Sequence, residues 1–265
     1  MSKKPTKTPA TKPANLPAVT ETGGDVVNYE DILAARAAKA KAQTARMPSG
    51  GGGQGLSFRG GKMSWAGQDV GNLTSVIILA WIPERAYYDR PYNPDDKSPP
   101  TCYSYGEDTP HAKAHKPQAK DCEGCIHNEW GSANIGKGKA CKEGARLIMI
   151  PADTEDFETV QLTTARVSTL NAKYLVDYVN ALDARKTSIE RVVTDLSCHP
   201  DPRSQYRLGF KATGVFKPTK GAATSAFLAL LARADAEISK PYPRAPGRRQ
   251  AGAQPAHDPR QPAMI

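Results

Sequence analysis

Long apolar runs are missing from this 265-residue chain. No stretch approaches the roughly 18 consecutive apolar residues that a membrane-spanning helix needs, so nothing is expected to cross a bilayer. The opening residues, MSKKPTKTPATKPANLPAV, hold no apolar segment of the kind a secretory signal carries. An intracellular, cytoplasmic location is therefore expected. Cysteine is scarce, with five in all. In a reducing compartment five thiols are poor material for disulfides and better material for metal ligation. Apolar residues make up only 39% of the chain, against 22 Pro and 22 Gly, so part of it is expected to stay unfolded.

Acids are short at both ends. Residues 1–49 carry eight Lys/Arg against four Asp/Glu, and residues 240–265 carry five against one. Most of the net charge of +9 thus sits in the tails, around a nearly neutral body. Basic tails suit a polyanionic partner, nucleic acid or a membrane surface, although they also serve simple solubility.

Composition and periodicity divide the chain into three parts. Residues 1–49 read as a basic, disordered tail containing a marginal, alanine-faced helix from Asn28 to Met47. Residues 50–239 read as the folded body, and residues 240–265 as a second disordered basic tail. Within the body, Leu73–Ile82 is a β-branched run typical of a buried strand. Strands are also expected at Arg146–Pro151, Thr159–Val167, Arg191–Cys198 and Tyr206–Phe216. Between Ser168 and Leu182 the period changes: Leu170, Tyr174, Leu175, Tyr178, Val179 and Leu182 share a helical face, with Ser168 as N-cap. A last helix runs from Thr224 to Ser239, with Phe227, Leu230, Leu231, Ala234 and Ile238 inward. The class is mainly β (α+β). Five or six short strands around an interposed helix fit a small OB-like barrel or another α+β sheet.

Residues 83–145 contain no long periodic segment, which in a compact domain calls for an ordering device. Cys102, Cys122, Cys125 and Cys141 fall there, spaced C-x19-C-x2-C-x15-C. A CxxC turn with one cysteine on either side predicts a closed, structural zinc site that staples the insertion. An iron–sulfur cluster would use the same ligands. Free thiols or a redox pair are the other readings, and His111, His115 and His127 each read as a substitute ligand for a cysteine or as a solvated loop residue. Cys198 lies in a strand pattern and reads as a small core residue.

Enzymatic readings fit less well. Gly131–Gly138 (GSANIGKG) nearly spells a phosphate loop, but Gly138 stands where the Mg²⁺-binding hydroxyl belongs. His127-Asn128-Glu129 matches the H-x-E of zinc deaminases, but the only CxxC lies upstream of it rather than downstream. A zinc-containing nuclease with His127 or His111 as general base remains the enzymatic alternative, and a zinc-loop protein-interaction or regulatory role is another. Apart from catalysis, aromatics and bases interleave: Trp65, Tyr87, Tyr88, Tyr92, Tyr103, Tyr105, Trp130, Lys137, Lys139 and Arg146. Such a pattern suits unpaired nucleic acid, where bases stack and cations follow phosphates. In the strand at 206–211, Tyr206, Leu208 and Phe210 read as core, while Arg207 and Lys211 face the other way as groove candidates.

The set Pro100, Cys102, Tyr103-Ser104-Tyr105-Gly106, Pro117-Gln118, Cys122-x-x-Cys125, Asn128, Trp130-Gly131-Ser132 and Gly136-Lys137-Gly138-Lys139-Ala140-Cys141 resembles a group of bacteriophage single-stranded DNA-binding proteins with an OB-like fold. The resemblance spans about residues 55–216. It implies a non-enzymatic role in DNA replication or recombination, with the four cysteines as metal ligands and the aromatic and basic residues as DNA contacts. The chain departs from the pattern in lacking an acidic C-terminal tail: Asp258 is the only acid after Lys240.

Overall fold

The computed structural model describes residues 32–39, 55–90, 99–202, 204–218 and 221–242. Two compact units divide the chain. Of the described residues, the first holds those up to Pro83 and those between Glu143 and Ile238; the second holds those between Glu84 and Lys142 and those from Ser239 to Tyr242.

The described strands are β1 (Leu56–Arg59), β2 (Lys62–Trp65), β3 (Gln68–Gly71), β4 (Leu73–Tyr87), β5 (Cys102–Ser104), β6 (Lys142–Pro151), β7 (Thr163–Val167), β8 (Val192–Asp201) and β9 (Gln205–Val215). Helix α1 covers residues 32–39, α2 is Ala172–Asp183 and α3 is Ala222–Ile238. The strand order is β3-β2-β1-β7-β6-β4-β8-β9, with β5 paired separately to the end of β4. Only the β1/β7 pair is parallel among the described registers, meeting at Leu56 and Ala165. Gly55 makes that approach possible. Its φ is +117°, and a β-carbon there would lie 2.2 Å from the Thr164 carbonyl oxygen.

The apolar run of β4 is continuous because both of its faces are buried. Val76, Ile78 and Trp81 enter one core, while Ile77, Leu79 and Ala80 enter another. The first core lies inside the curl of the sheet. There α2 inserts Leu175, Tyr178, Val179 and Leu182 against Leu147, Met149, Ala165, Leu196 and Leu208. The curl brings β1 up to the last strand of the path, and the Phe58 ring of β1 stacks on Tyr206 of β9 at 5.8 Å. The second core covers the opposite face, where α3 buries Phe227, Leu230, Leu231 and Ala234 over Ile148 and Ile150.

Helix α1 is docked within the first unit. Leu33 is 1% exposed in the second core. Arg36 donates to Glu190 at 2.8 Å, and also to Asp235 of α3 and the Leu79 carbonyl of β4. The remainder of the helix expected over Asn28–Met47 lies outside the described residues, as do the tails before and after it.

Other differences have local causes. Helix α2 begins at Ala172, after Asn171, so Leu170 precedes it and is 56% exposed instead of facing inward. The fully buried Asn171 side chain has a different task from capping. Its Oδ1 accepts the Leu208 N–H at 2.8 Å and its Nδ2 donates to the Tyr206 carbonyl at 3.2 Å. It thereby satisfies the backbone of β9, the last strand of the path. Strand β7 turns Thr163, Ala165 and Val167 inward; Val160 and Leu162, which were expected to belong to it, precede it and pack on the second core. The β1–β3 meander went unforeseen, since four-residue polar strands joined by glycine turns carry little periodicity.

Candidate nucleic-acid interface

The second unit starts where β4 continues past Pro83. Arg85, Ala86 and Tyr87 pair antiparallel with Ser104, Tyr103 and Cys102 of β5. This short hairpin carries an aromatic nest. The Tyr103 ring stacks on His111 at 5.0 Å and meets Tyr105 at 5.1 Å and Tyr242 edge-on at 5.1 Å. The Tyr242 hydroxyl donates to Glu84 Oε1 at 2.6 Å. Tyr105 is 7% exposed, so it is spent on this nest rather than offered to a ligand.

The expected zinc does not stand. Among the described residues no group of three or more His, Cys, Asp or Glu side chains is arranged to hold a metal ion, and none of the five cysteines forms a disulfide. Cys102, Cys122 and Cys125 are buried, while Cys141 is half-buried at the foot of β6. Burial raises the Cys102 thiol above its ordinary range, and the neighbouring Cys122 and Cys125 oppose its ionisation further. These cysteines act as small apolar groups in a thin core.

Polar side chains supply the order that a metal was expected to supply. Asp121 accepts the Gly124 N–H at 2.6 Å and so turns the chain through the CxxC. A single 3₁₀ turn, Ile126–Asn128, follows. Asn128 Nδ2 donates back to the Cys122 carbonyl at 2.8 Å, and its Oδ1 accepts Lys139 Nζ at 2.9 Å. The Ser132 hydroxyl lies 3.0 Å and 2.7 Å from the His127 and Glu129 carbonyl oxygens, and accepts the Ala140 N–H at 2.9 Å. Gly131 and Ala133 both donate to the Gly138 carbonyl at 3.1 Å, closing a loop. Gly131 and Gly136 hold φ values of +88° and +81°, which lets that loop turn tightly.

This braced loop leaves large side chains in solvent. Trp130 is 80% exposed, and Lys139 Nζ lies 5.9 Å from the centre of its ring, within cation–π range. Ile126 and Ile135 are exposed too, and so is Lys137. Tyr87 presents only part of its ring, because His127 stacks on it at 3.9 Å with 17° between the planes. Tyr88 is half-buried, and Tyr92 lies outside the described residues.

The first unit holds the other sequence candidates. Trp65 packs half-buried against the first core. Arg146 is 9% exposed and donates to the Ile238 carbonyl, where a cation complements the C-terminal end of α3. Arg207 and Lys211 are exposed on β9, opposite His199 and Asp195 of β8. Tyr206, Leu208 and Phe210 turn into the first core, as the alternation predicts.

Sequence reasoning missed the bracing residues Asn128 and Ser132. Both are small polar residues flanking a CxxC, and their long-range bonds leave no periodic trace. No helix among the described residues is long and apolar enough to cross a membrane. Compared with known protein families, curated proteins and solved structures, the chain matches none.

Proposed function

We propose that this chain is a non-enzymatic, cytoplasmic single-stranded DNA-binding protein with an OB-type barrel, acting in phage DNA replication or recombination. The observation that carries the reading is the exposed Trp130 with Lys139 beside its ring, on a loop braced by hydrogen bonds. An aromatic face with an adjacent cation is what an unpaired base and its phosphate require.

Topology supports it. Strands β4, β6, β7, β8 and β9 run in the spatial order β7-β6-β4-β8-β9, with α2 between the third and fourth. This path fits the five-stranded OB barrel proposed, with β1 added alongside β7. In such barrels the connection between the first two strands is one of the loops that bind oligonucleotides. In this chain that connection is the segment carrying Trp130, Lys137 and Lys139. Arg207 and Lys211 on β9 offer separate phosphate contacts.

The test is fluorescence anisotropy of labelled oligo-dT and of a duplex of equal length, titrated over salt. Preference for the single strand is expected, with affinity falling log-linearly in salt at a slope of about −0.7 per phosphate contacted. Trp130→Ala removes a stacking contact of about 1–3 kcal/mol and weakens binding roughly five- to 150-fold. Equal binding of duplex, or Mg²⁺-dependent cleavage that disappears in His127→Ala, refutes the reading in favour of a nuclease.

A further inference from the structure

We propose that Asn128 is a positioning residue for nucleic-acid capture, acting through Lys139; this rests on the reading of the Trp130 loop as the DNA contact. Asn128 joins two parts of the loop that nothing else in the sequence suggests are coupled. Its Nδ2 holds the Cys122 carbonyl at 2.8 Å, which ties it to the CxxC knuckle. Its Oδ1 receives Lys139 Nζ at 2.9 Å, and the same Nζ sits 5.9 Å from the Trp130 ring centre. The amide thus fixes the ammonium relative to the indole. A lysine stem has several rotatable bonds, and ordering it at the moment of binding costs free energy. Asn128 meets that cost beforehand. With Lys139 placed beside it and 80% of its surface in solvent, Trp130 keeps open ring area for a base while the cation stands ready for the adjoining phosphate.

Charge explains the choice of an amide. A carboxylate here would also hold Lys139, but it would lose the donor to the Cys122 carbonyl. Alanine would lose both bonds. The two substitutions therefore separate a positioning role from a merely structural one.

The experiment is a double-mutant cycle on the full chain, read by anisotropy of labelled oligo-dT, with thermal melting followed by circular dichroism. Asn128→Ala and Lys139→Ala are each expected to weaken binding about three- to tenfold. In the Lys139→Ala background, Asn128→Ala is expected to cost nothing further, because the ammonium it positions is gone. Asn128→Asp still receives Lys139 through Oδ1 but sets a negative charge beside the phosphate path, so it is expected to bind more weakly than the wild-type chain by a factor that shrinks as salt is raised. Additive losses in the cycle, binding indifferent to Asn128→Ala, or an Asn128→Asp deficit that does not shrink with salt would overturn the positioning role while leaving the DNA-binding reading intact. A wild-type chain that binds no oligo-dT would sink both.

Discussion

Arg36 offers the sharpest test of how the first unit is held together. Its guanidinium reaches three elements at once: Glu190 ahead of β8, Asp235 on α3 and the Leu79 carbonyl on β4. The Arg36 side chain is 12% exposed and that of Glu190 5%, whereas Asp235 is 41% exposed. The Asp235 contact is therefore the least valuable, because water screens it. Glu190 decides the magnitude. Its Oε2 is buried without a hydrogen-bond partner, so Arg36 is the partner that the structure gives this carboxylate through Oε1. Arg36→Ala strands a buried carboxylate and is expected to cost about 3–5 kcal/mol. Against a typical total of 5–15 kcal/mol for a domain, that is a large fraction. The urea midpoint, followed by far-UV circular dichroism, should fall accordingly. Glu190→Gln in the Arg36→Ala background should recover a substantial part, since a neutral amide is cheaper to strand. A loss below about 1 kcal/mol for Arg36→Ala, or no recovery in the double variant, refutes the account of α1 as an electrostatically clasped helix.

Three further outcomes follow from the same geometry. Asn171→Ala leaves the buried Leu208 N–H without the partner now serving it, while the Tyr206 carbonyl keeps the Ser204 hydroxyl at 2.7 Å, and should cost about 1–3 kcal/mol by urea denaturation. Gly55→Ala places a β-carbon against the Thr164 carbonyl in a left-handed backbone; a loss of about 2 kcal/mol or more is expected, with faster amide exchange in β1. Burial pushes the Tyr178 phenol up to about 12, even though its hydroxyl bonds Thr194 at 2.6 Å. The folded chain therefore keeps a proton that the unfolded chain releases near pH 10, so stability declines as pH climbs from about 10 to about 12. Tyr178→Phe should lower stability at neutral pH and flatten that alkaline decline in a melting series.

Where burial imposes a period, the architecture was legible. Strand β4 was readable because β-branched residues fill both of its faces, and α3 because Phe227, Leu230, Leu231, Ala234 and Ile238 repeat at helical spacing. Strand β9 was readable because Leu208 and its neighbours alternate with Arg207 and Lys211. Legibility failed where order comes from single long-range contacts. The helix of α1 was legible within Asn28–Met47, but its alanine face gave no sign that one leucine and one arginine would dock it. Leu170 fits the helical period of α2 but precedes the helix and stays in solvent. At the site, Trp130 and Lys137 are exposed as a binding surface requires and Lys139 is half-buried, whereas Tyr105 and Arg146, equally suitable by type, are consumed by packing. Residue type does not distinguish an exposed aromatic from a buried one when no period surrounds it.

The four cysteines show the same limit from the other side. Their spacing allows a tetrahedral site, but spacing constrains only how far apart ligands are along the chain. In the fold, Cys102 is committed to β5 with its neighbours paired to β4, and Cys141 is fixed by its N–H bond to the His127 carbonyl at 2.8 Å. Both positions are set by backbone pairing, and that pairing brings no three ligands around one point. Order falls instead to Asp121, Asn128 and Ser132, each of which ties side chain to backbone within the same short segment. Such bonds contribute about 1 kcal/mol apiece, so the loop depends on several acting together. That arrangement suits a contact surface. A loop ordered before its partner arrives loses less conformational entropy on binding, and an exposed tryptophan costs little to keep in place when the backbone beneath it is already fixed.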